Sequence, residues 1–532
     1  MKLSAHAFLR FWGVHAWAGV IGGLVLHVMF FTGAITLFRG ELEIWQEPLA
    51  QQAAVTGTHQ ALLERALGKL PVEPEGVWFY PKESGAAELG YTDPKTGVWQ
   101  RFWFDGHTGA LIPRRERLAD FLYNLHFLWH EVTGDWLYYA SGFFAVGLLL
   151  AIATGVLIHL KDIVRQFHQF RPDKSRRVLW SDMHKVLGVM GLPFQLLYAY
   201  TGALIVLAPL LLGALIGPVF GGDEQRAASV FWGMPARRAE QAGVSAPVLS
   251  LDELAARARA VEPRLAPETY RVHRPGRANG SVDVYGSMRG TTPKAHGAVR
   301  LRLTDGQVLH VDSPATESAL GATWRWVRGL HYAYFGGVGL RVLFFVLALA
   351  TSATILTGNW VWLARRQARS ESPGNLLLEG LTVGIGVGTL VATAALFLAS
   401  RLLPFELRDR GATEEIIFMG VFVFCAVWAC MLEDRRSLWW QGVALAGLLL
   451  LPVPLLASRW SEAGLFGSGQ RIGAVVGVDI ALLAMALALC GISLALRRGA
   501  RQSAKVRRAR GAAVHAAPRR AVALLPVGGR DA

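Results

Sequence analysis

Long apolar runs alternate with polar stretches along this chain, and the lengths of both predict its elements. Crossing roughly 30 Å of hydrocarbon takes about 20 helical residues. Runs of that order fall near 12–38, 138–160, 184–216, 331–363, 376–400, 415–432, 438–457 and 472–496. Two polar segments, about 39–125 and 217–325, separate the first run from the second and the third from the fourth. Each opens with helical periodicity, Gln60 to Leu70 and Leu251 to Val261. Alternation then predicts strands near 76–81, 87–92 and 98–104 in one segment and near 268–274, 281–287 and 298–304 in the other. The last strand of each ends on a turn, Asp105-Gly106-His107-Thr108-Gly109 or Thr304-Asp305-Gly306-Gln307, after which apolar alternation resumes.

The predicted fold class is therefore an α-helical integral membrane protein of about eight transmembrane helices, with two small α+β domains inserted between spans one and two and between spans three and four. The boundaries run 1–38 (span one), 39–125 (first inserted domain), 126–160 (span two), 161–183 (loop), 184–216 (span three), 217–325 (second inserted domain) and 326–365 (span four). Four further spans occupy 376–497, and 498–532 is a basic tail expected to be disordered.

Composition agrees: 52% of the 532 residues are hydrophobic and 17% charged, too little charge to clothe a soluble domain of this size. The net charge of +15 does not signal nucleic acid, because the basic excess lies between apolar runs and in the tail. Lys161, Arg165, Arg171, Lys174, Arg176 and Arg177 fill one connection and Arg365, Arg366 and Arg369 another. The positive-inside rule makes these segments cytoplasmic, with both termini, and puts the two long polar segments outside. Lys2 and Arg10 precede a first run longer than a signal-peptide core and without an A-x-A site, so it reads as an uncleaved span. Cys425, Cys430 and Cys490 lie inside apolar runs without C-x-x-C spacing and read as packing residues.

The first four spans repeat. Span one opens with His15-x-x-x-Gly19 and reaches Thr32-Gly33; span three opens with His184-x-x-x-Gly188 and reaches Thr201-Gly202, with 17 residues from His to Thr in both. Span two begins at Leu125-His126 and reaches Thr154-Gly155, and span four begins at Leu330-His331 and reaches Thr357-Gly358. One histidine in a membrane bundle can be a helix cross-link, but four set by a two-fold repeat at two depths match one six-coordinate haem near each surface. Gly19, Gly22, Gly23, Gly188 and Gly191 would leave room for a macrocycle, or serve ordinary helix contacts.

His27, His130 and His159 break the repeat and are secondary ligand candidates, propionate partners or proton relays. His130 follows His126 by four residues, which predicts a shared helical face, yet the string lacks the internal glutamate of an H-E-x-x-H zinc site. His6, His59, His107, His168, His273, His296, His310 and His515 lie in polar or terminal segments and read as solvated. Trp129, Trp136, Trp324, Trp326, Tyr332 and Tyr334 crowd the outer edge as an interface belt would. In the last four spans Gly380, Gly384, Gly386 and Gly388 read as helix packing, and Asp479 as a partner of Arg471 or else a proton or quinone site.

At these residues the chain resembles the PepSY-associated transmembrane proteins, which include iron-regulated inner-membrane proteins and ferric-siderophore reductases. The resemblance rests on the H-x-x-x-G entry with T-G exit, the L-H entry with T-G exit and the helix-plus-strands module in each outer segment, over about residues 10–365. It implies two PepSY-like periplasmic domains and a bacterial inner-membrane reductase with two b-type haems, passing electrons to a periplasmic ferric-siderophore or other metal complex. By the same resemblance His15, His184, His126 and His331 are carried over as axial ligands. With no flavin or nicotinamide motif in the chain, the donor would be separate, a quinol or a flavoprotein. A transport accessory for iron or siderophore and a membrane-anchored binding or inhibitory module without redox activity are the rival readings.

Overall fold

The computed structural model describes residues 4–47, 58–82, 86–114, 117–167, 169–171, 174–232, 243–289, 296–315, 319–333, 335–366, 372–459, 463–467 and 472–516. His168, Tyr334 and Arg471 lie outside them. The first repeat runs α1 (Ala5–Thr36), α2 (Arg39–Gln46), α3 (His59–Leu67), β1 (Gly76–Pro81), β2 (Ala87–Thr92), β3 (Trp99–Phe104), β4 (Leu111–Pro113), α4 (Leu118–His126), α5 (His130–Thr133) and α6 (Asp135–His159). After α7 (Ile163–Phe167), the second runs α8 (Arg176–Met190), α9 (Leu192–Phe220), α10 (Glu224–Trp232), α11 (Leu251–Val261), β5 (Leu265–His273), β6 (Ser281–Met288), β7 (His296–Arg302), β8 (Val308–Asp312), α12 (Ala319–Tyr332) and α13 (Gly337–Arg366). The chain closes with α14 (Pro373–Leu402), α15 (Arg410–Met431), α16 (Ser437–Leu450), α17 (Val453–Ala457) and α18 (Gly473–Ala516).

Among the described residues eight helical segments are long and apolar enough to cross a membrane: α1, α6, α9, α13, α14, α15, α16 with α17, and the first part of α18. The protein is a multi-pass α-helical membrane protein. Span three starts later than its apolarity suggests. Pro193 has no N–H to continue a helix, so the chain breaks at Gly191, and His184 sits on α8 rather than on the span. His126 and His331 likewise close the short helices α4 and α12 instead of opening spans two and four. Positive φ at Leu128 and Trp129, and at Ala333 and Gly337, makes the two breaks. Of the four histidines assigned to spans, His15 alone lies on one.

The two inserted modules are not separate. Their strands form one antiparallel eight-stranded sheet in the order β4-β3-β2-β1-β5-β6-β7-β8. Its seam pairs Gly76–Phe79 of β1 with Tyr270–His273 of β5. Local alternation finds the strands but not this join, because nothing in either edge strand names its partner. One face is covered by α3 and α11, whose Leu63, Ala66, Leu254 and Ala258 pack on Val77, Phe79, Val272 and Val284. At the opposite face Asp283 is fully buried, bonded by Arg300 and by His273 at 3.1 Å. His273 is thus a core residue and not a solvated one. Burial alone would raise the Asp283 pKa, yet the bonds from Arg300 and His273 hold the carboxyl below its usual range.

In the bundle α1 packs on α6 and α13, α6 on α9, and α8 on α13. The last four spans pack among themselves and dock through α14, α15 and α18. The α14 glycines are close-packing residues: a Cβ at Gly380 would meet Cys430 at 2.8 Å and one at Gly384 would meet Ala426 at 2.6 Å. Residues 498–516, expected to be disordered, continue α18 as helix.

Candidate functional site

Along an α-helix the carbonyl of residue i−4 accepts the N–H of residue i. Where residue i is glycine no Cβ stands beside that carbonyl, and a second donor can approach it. The T-G dipeptides use this opening. A Cβ on Gly33 would lie 2.8 Å from the His126 ring, on Gly155 3.0 Å from His15, on Gly358 3.1 Å from His184, and on Gly202 3.6 Å from His331. His126 Nδ1 bonds the Met29 carbonyl at 2.7 Å, His15 Nδ1 that of Ala151 at 2.8 Å, and His184 Nδ1 that of Thr354 at 2.9 Å. Each carbonyl is four residues before the glycine. Each histidine therefore seats on the neighbouring strut of its own repeat.

A carbonyl only accepts, so in these three rings Nδ1 carries the hydrogen. His331 reaches the same state by another route. Its Nδ1 lies 2.8 Å from Thr201 Oγ1, whose own hydrogen is directed to the Leu197 carbonyl at 2.7 Å, so Nδ1 donates here as well. Among the described residues no ring makes a further hydrogen bond, and Nε2 of all four is left with its lone pair. A fixed Nδ1–H with an open Nε2 is the state in which histidine serves as a metal ligand.

The histidines gather in two pairs. His15 and His184 face each other with ring centroids 6.0 Å apart at 68°. His126 and His331 line one cavity of about 1170 Å³, which continues to the underside of the sheet at Tyr80, Lys82 and Glu88. From His15 to Gly33, the seat of His126, is 18 residues of α1, about 27 Å along the axis. The sheet-side cavity has a charged collar: Arg341 pairs with Glu41 at 2.6 Å, Arg39 with Asp120 at 2.6 Å and Arg101 with Asp120 at 3.1 Å. Burial would raise the Asp120 pKa, but Arg114, Arg101 and Arg39 hold it low.

The secondary candidates separate. His27 is buried with Nδ1 2.6 Å from Ser352 Oγ and Nε2 unpartnered. His130 does not share a helical face with His126, because the turn at Leu128 and Trp129 intervenes; its ring lies 5.3 Å from that of Tyr138. His159 ends α6 on the side of His15 and Lys185. Among the described residues no three metal-ligating side chains cluster. Asp479 accepts from Trp45 Nε1 at 2.9 Å and from the Leu465 N–H at 2.8 Å. Of the glycines singled out beside the histidines, Gly19 faces open space and Gly23 packs on Ile355, so the seats are the T-G glycines. Their regular spacing from the histidines was the available signal.

A family model described as the PepSY-associated TM region matches residues 12–365. The chain belongs to that family. The matched stretch holds all four histidines, their four glycine seats and the whole eight-stranded sheet, and it stops before α14. Uncharacterized protein PA4219 of Pseudomonas aeruginosa is 29% identical over 315 residues, covering 58% of this PepSY-associated protein and 79% of its own length.

Proposed function

We propose that this protein carries electrons across the bacterial inner membrane through two b-type haems, one between His15 and His184 and one between His126 and His331, and reduces a ferric complex, of siderophore type, on the sheet side. The observation that carries this reading is the donor set: four imidazoles in two pairs, each with Nδ1 fixed as a donor and Nε2 open. Two imidazoles on one metal at roughly 2 Å each, with ring centres about 1 Å further back, stand about 6 Å apart. The 6.0 Å between His15 and His184 fits that spacing. The glycine seats at Gly33, Gly155 and Gly358 fit too, since each removes the Cβ that would push an imidazole out of line.

The haem would supply one-electron chemistry. The chain's own part is to hold the imidazoles in one tautomer, to keep water from the far pair, and to open the near pair to an acceptor through the collared cavity. The basic connections support a cytoplasmic side for His15 and His184 and for both termini. Electrons would enter there from a quinol or a flavoprotein.

The test is a reduced-minus-oxidised spectrum of the purified full-length protein with haem counted per chain, beside His15→Ala, His184→Ala, His126→Ala and His331→Ala. Two b-type haems, with one lost in each variant, support the reading. A colourless protein from haem-replete cells sinks it and favours a binding module built on the sheet.

A further inference from the structure

We propose that the four C-terminal spans brace the helix that carries His126, with Glu414, Trp45 and Asp479 as positioning residues for the sheet-side histidine pair. The helix α4 has nine residues, too few to hold itself in helical form, and its N-cap Arg117 offers no side-chain cap. Its first N–H groups are satisfied from outside. The Arg117 N–H donates to Glu414 Oε2 at 3.3 Å and the Ala119 N–H to Gln46 Oε1 at 3.1 Å. A carboxylate at that end also meets the positive pole of the helix. Further along α4, the Phe121 ring packs edge-on against Phe418 of α15 at 5.0 Å.

Gln46 is itself held by the C-terminal unit. Arg401 of α14 donates to the Gln46 carbonyl at 3.3 Å and lies 3.9 Å over the ring of Trp45, whose Nε1 donates to Asp479 of α18 at 2.9 Å. Glu414 forms an ion pair in turn with Arg410 at 3.3 Å. Glu414, Asp479 and Arg410 are fully buried, so these bonds are not screened by solvent. The chain of contacts runs from α15 and α18 through α2 to α4 and ends at His126. In the second repeat α12, which ends near His331, has 14 residues and packs on α9 and α10 instead. The brace is therefore one-sided, and its C-terminal members Arg401, Arg410, Glu414 and Asp479 lie outside the stretch that the family model matches, whereas Trp45 and Gln46 lie within it.

The deciding measurement is hydrogen exchange by mass spectrometry on the full-length protein, with the peptide over α4 read against that over α12 as internal control. The variants are Glu414→Ala, the milder Glu414→Gln, Trp45→Phe and Asp479→Asn. Exchange over α4 should rise roughly tenfold or more in Glu414→Ala and less in Glu414→Gln, whose amide oxygen still accepts, with α12 unchanged. Unaltered α4 exchange, or equal rises in α4 and α12, overturns the brace. A second readout rests on the haem reading: one of two midpoint potentials should shift in Glu414→Ala, and recover towards wild type in Glu414→Gln. Two unmoved potentials would also count against the positioning role. A colourless wild-type protein refutes the haem reading alone, because the exchange result decides the brace without it.

Discussion

The two histidine pairs share a repeat yet are built differently. His15 lies on span α1 and His184 on α8 packed against span α13, both bonded to backbone carbonyls, with their rings already 6.0 Å apart. His126 and His331 hang from short helices beyond the ends of spans two and four, one on a carbonyl and the other on a hydroxyl, and face a cavity of about 1170 Å³. Backbone acceptors on long helices give a rigid site. Short helices and a side-chain acceptor give one that must be propped from outside, by the sheet above it and by the helices beside it. The near pair trades rigidity for access.

Filling the glycine seats tests that contrast most severely. In Gly155→Val or Gly358→Val the new side chain must displace a ring already within about 3 Å of the position of a Cβ. On the proposed haem reading, half of the b-type absorbance should disappear, from the far pair alone, and Gly33→Val should remove the other half. Loss of both halves from any single variant would mean that the pairs are not independent.

Thr201→Val separates the two kinds of acceptor more gently. The Thr201 hydroxyl is the one side-chain partner among the four Nδ1 acceptors, so only His331 can lose its tautomer lock by substitution. Such outer-shell losses typically cost about 10–100-fold in affinity. Retention of the sheet-side haem on dilution or competition with apo-myoglobin should fall by that order, with the far haem untouched. Equal retention of both would show that the hydroxyl does not set the tautomer.

Much of this was legible in the sequence because it is local. The strand expected at 76–81 is β1 unchanged, and the helix expected at 251–261 is α11 unchanged, since alternation and helical period are properties of neighbouring residues. The four histidines were found by their repeat. Three features were not legible because they depend on distant partners. The β1–β5 seam joins edges roughly 190 residues apart. The seating of His126 on Gly33 joins α4 to α1, and Thr-Gly looks like an ordinary span exit until both helices are present. The brace on α4 needs Glu414, 297 residues from Arg117. The break between His126 and His130 was missed for another reason: Leu128 and Trp129 adopt positive φ, which residue type argues against.

Acid should loosen the sheet. Asp283 is ionised between Arg300 and His273 with its pKa held down, so its contribution is complete above the unfolded carboxylate value, about 3.9, and fades as pH falls below it. Stability of the sheet, followed by exchange over β5 to β7, should be flat above pH ~5 and decline below pH ~4. Asp283→Asn should cost about 3 kcal/mol at neutral pH, because Arg300 is left buried beside a neutral amide, and should flatten the acid limb. An acid limb unchanged in the variant would assign it to another carboxylate.

The smallest effect should come from Gly202→Ala, the same substitution that is severe elsewhere in the repeat. A Cβ there would meet His331 at 3.6 Å, ordinary contact, where the Gly33 equivalent would meet His126 at 2.8 Å. Gly202 lies within α9, so alanine also gains helix propensity, worth up to about 1 kcal/mol. Gly202→Ala should keep both haems, with a thermal midpoint at or slightly above that of the parent, while Gly33→Ala shifts the sheet-side spectrum. Equal damage from both would mean that His331 closes on Gly202 as tightly as His126 on Gly33, and the asymmetry between a carbonyl seat and a hydroxyl seat would then have no consequence for binding.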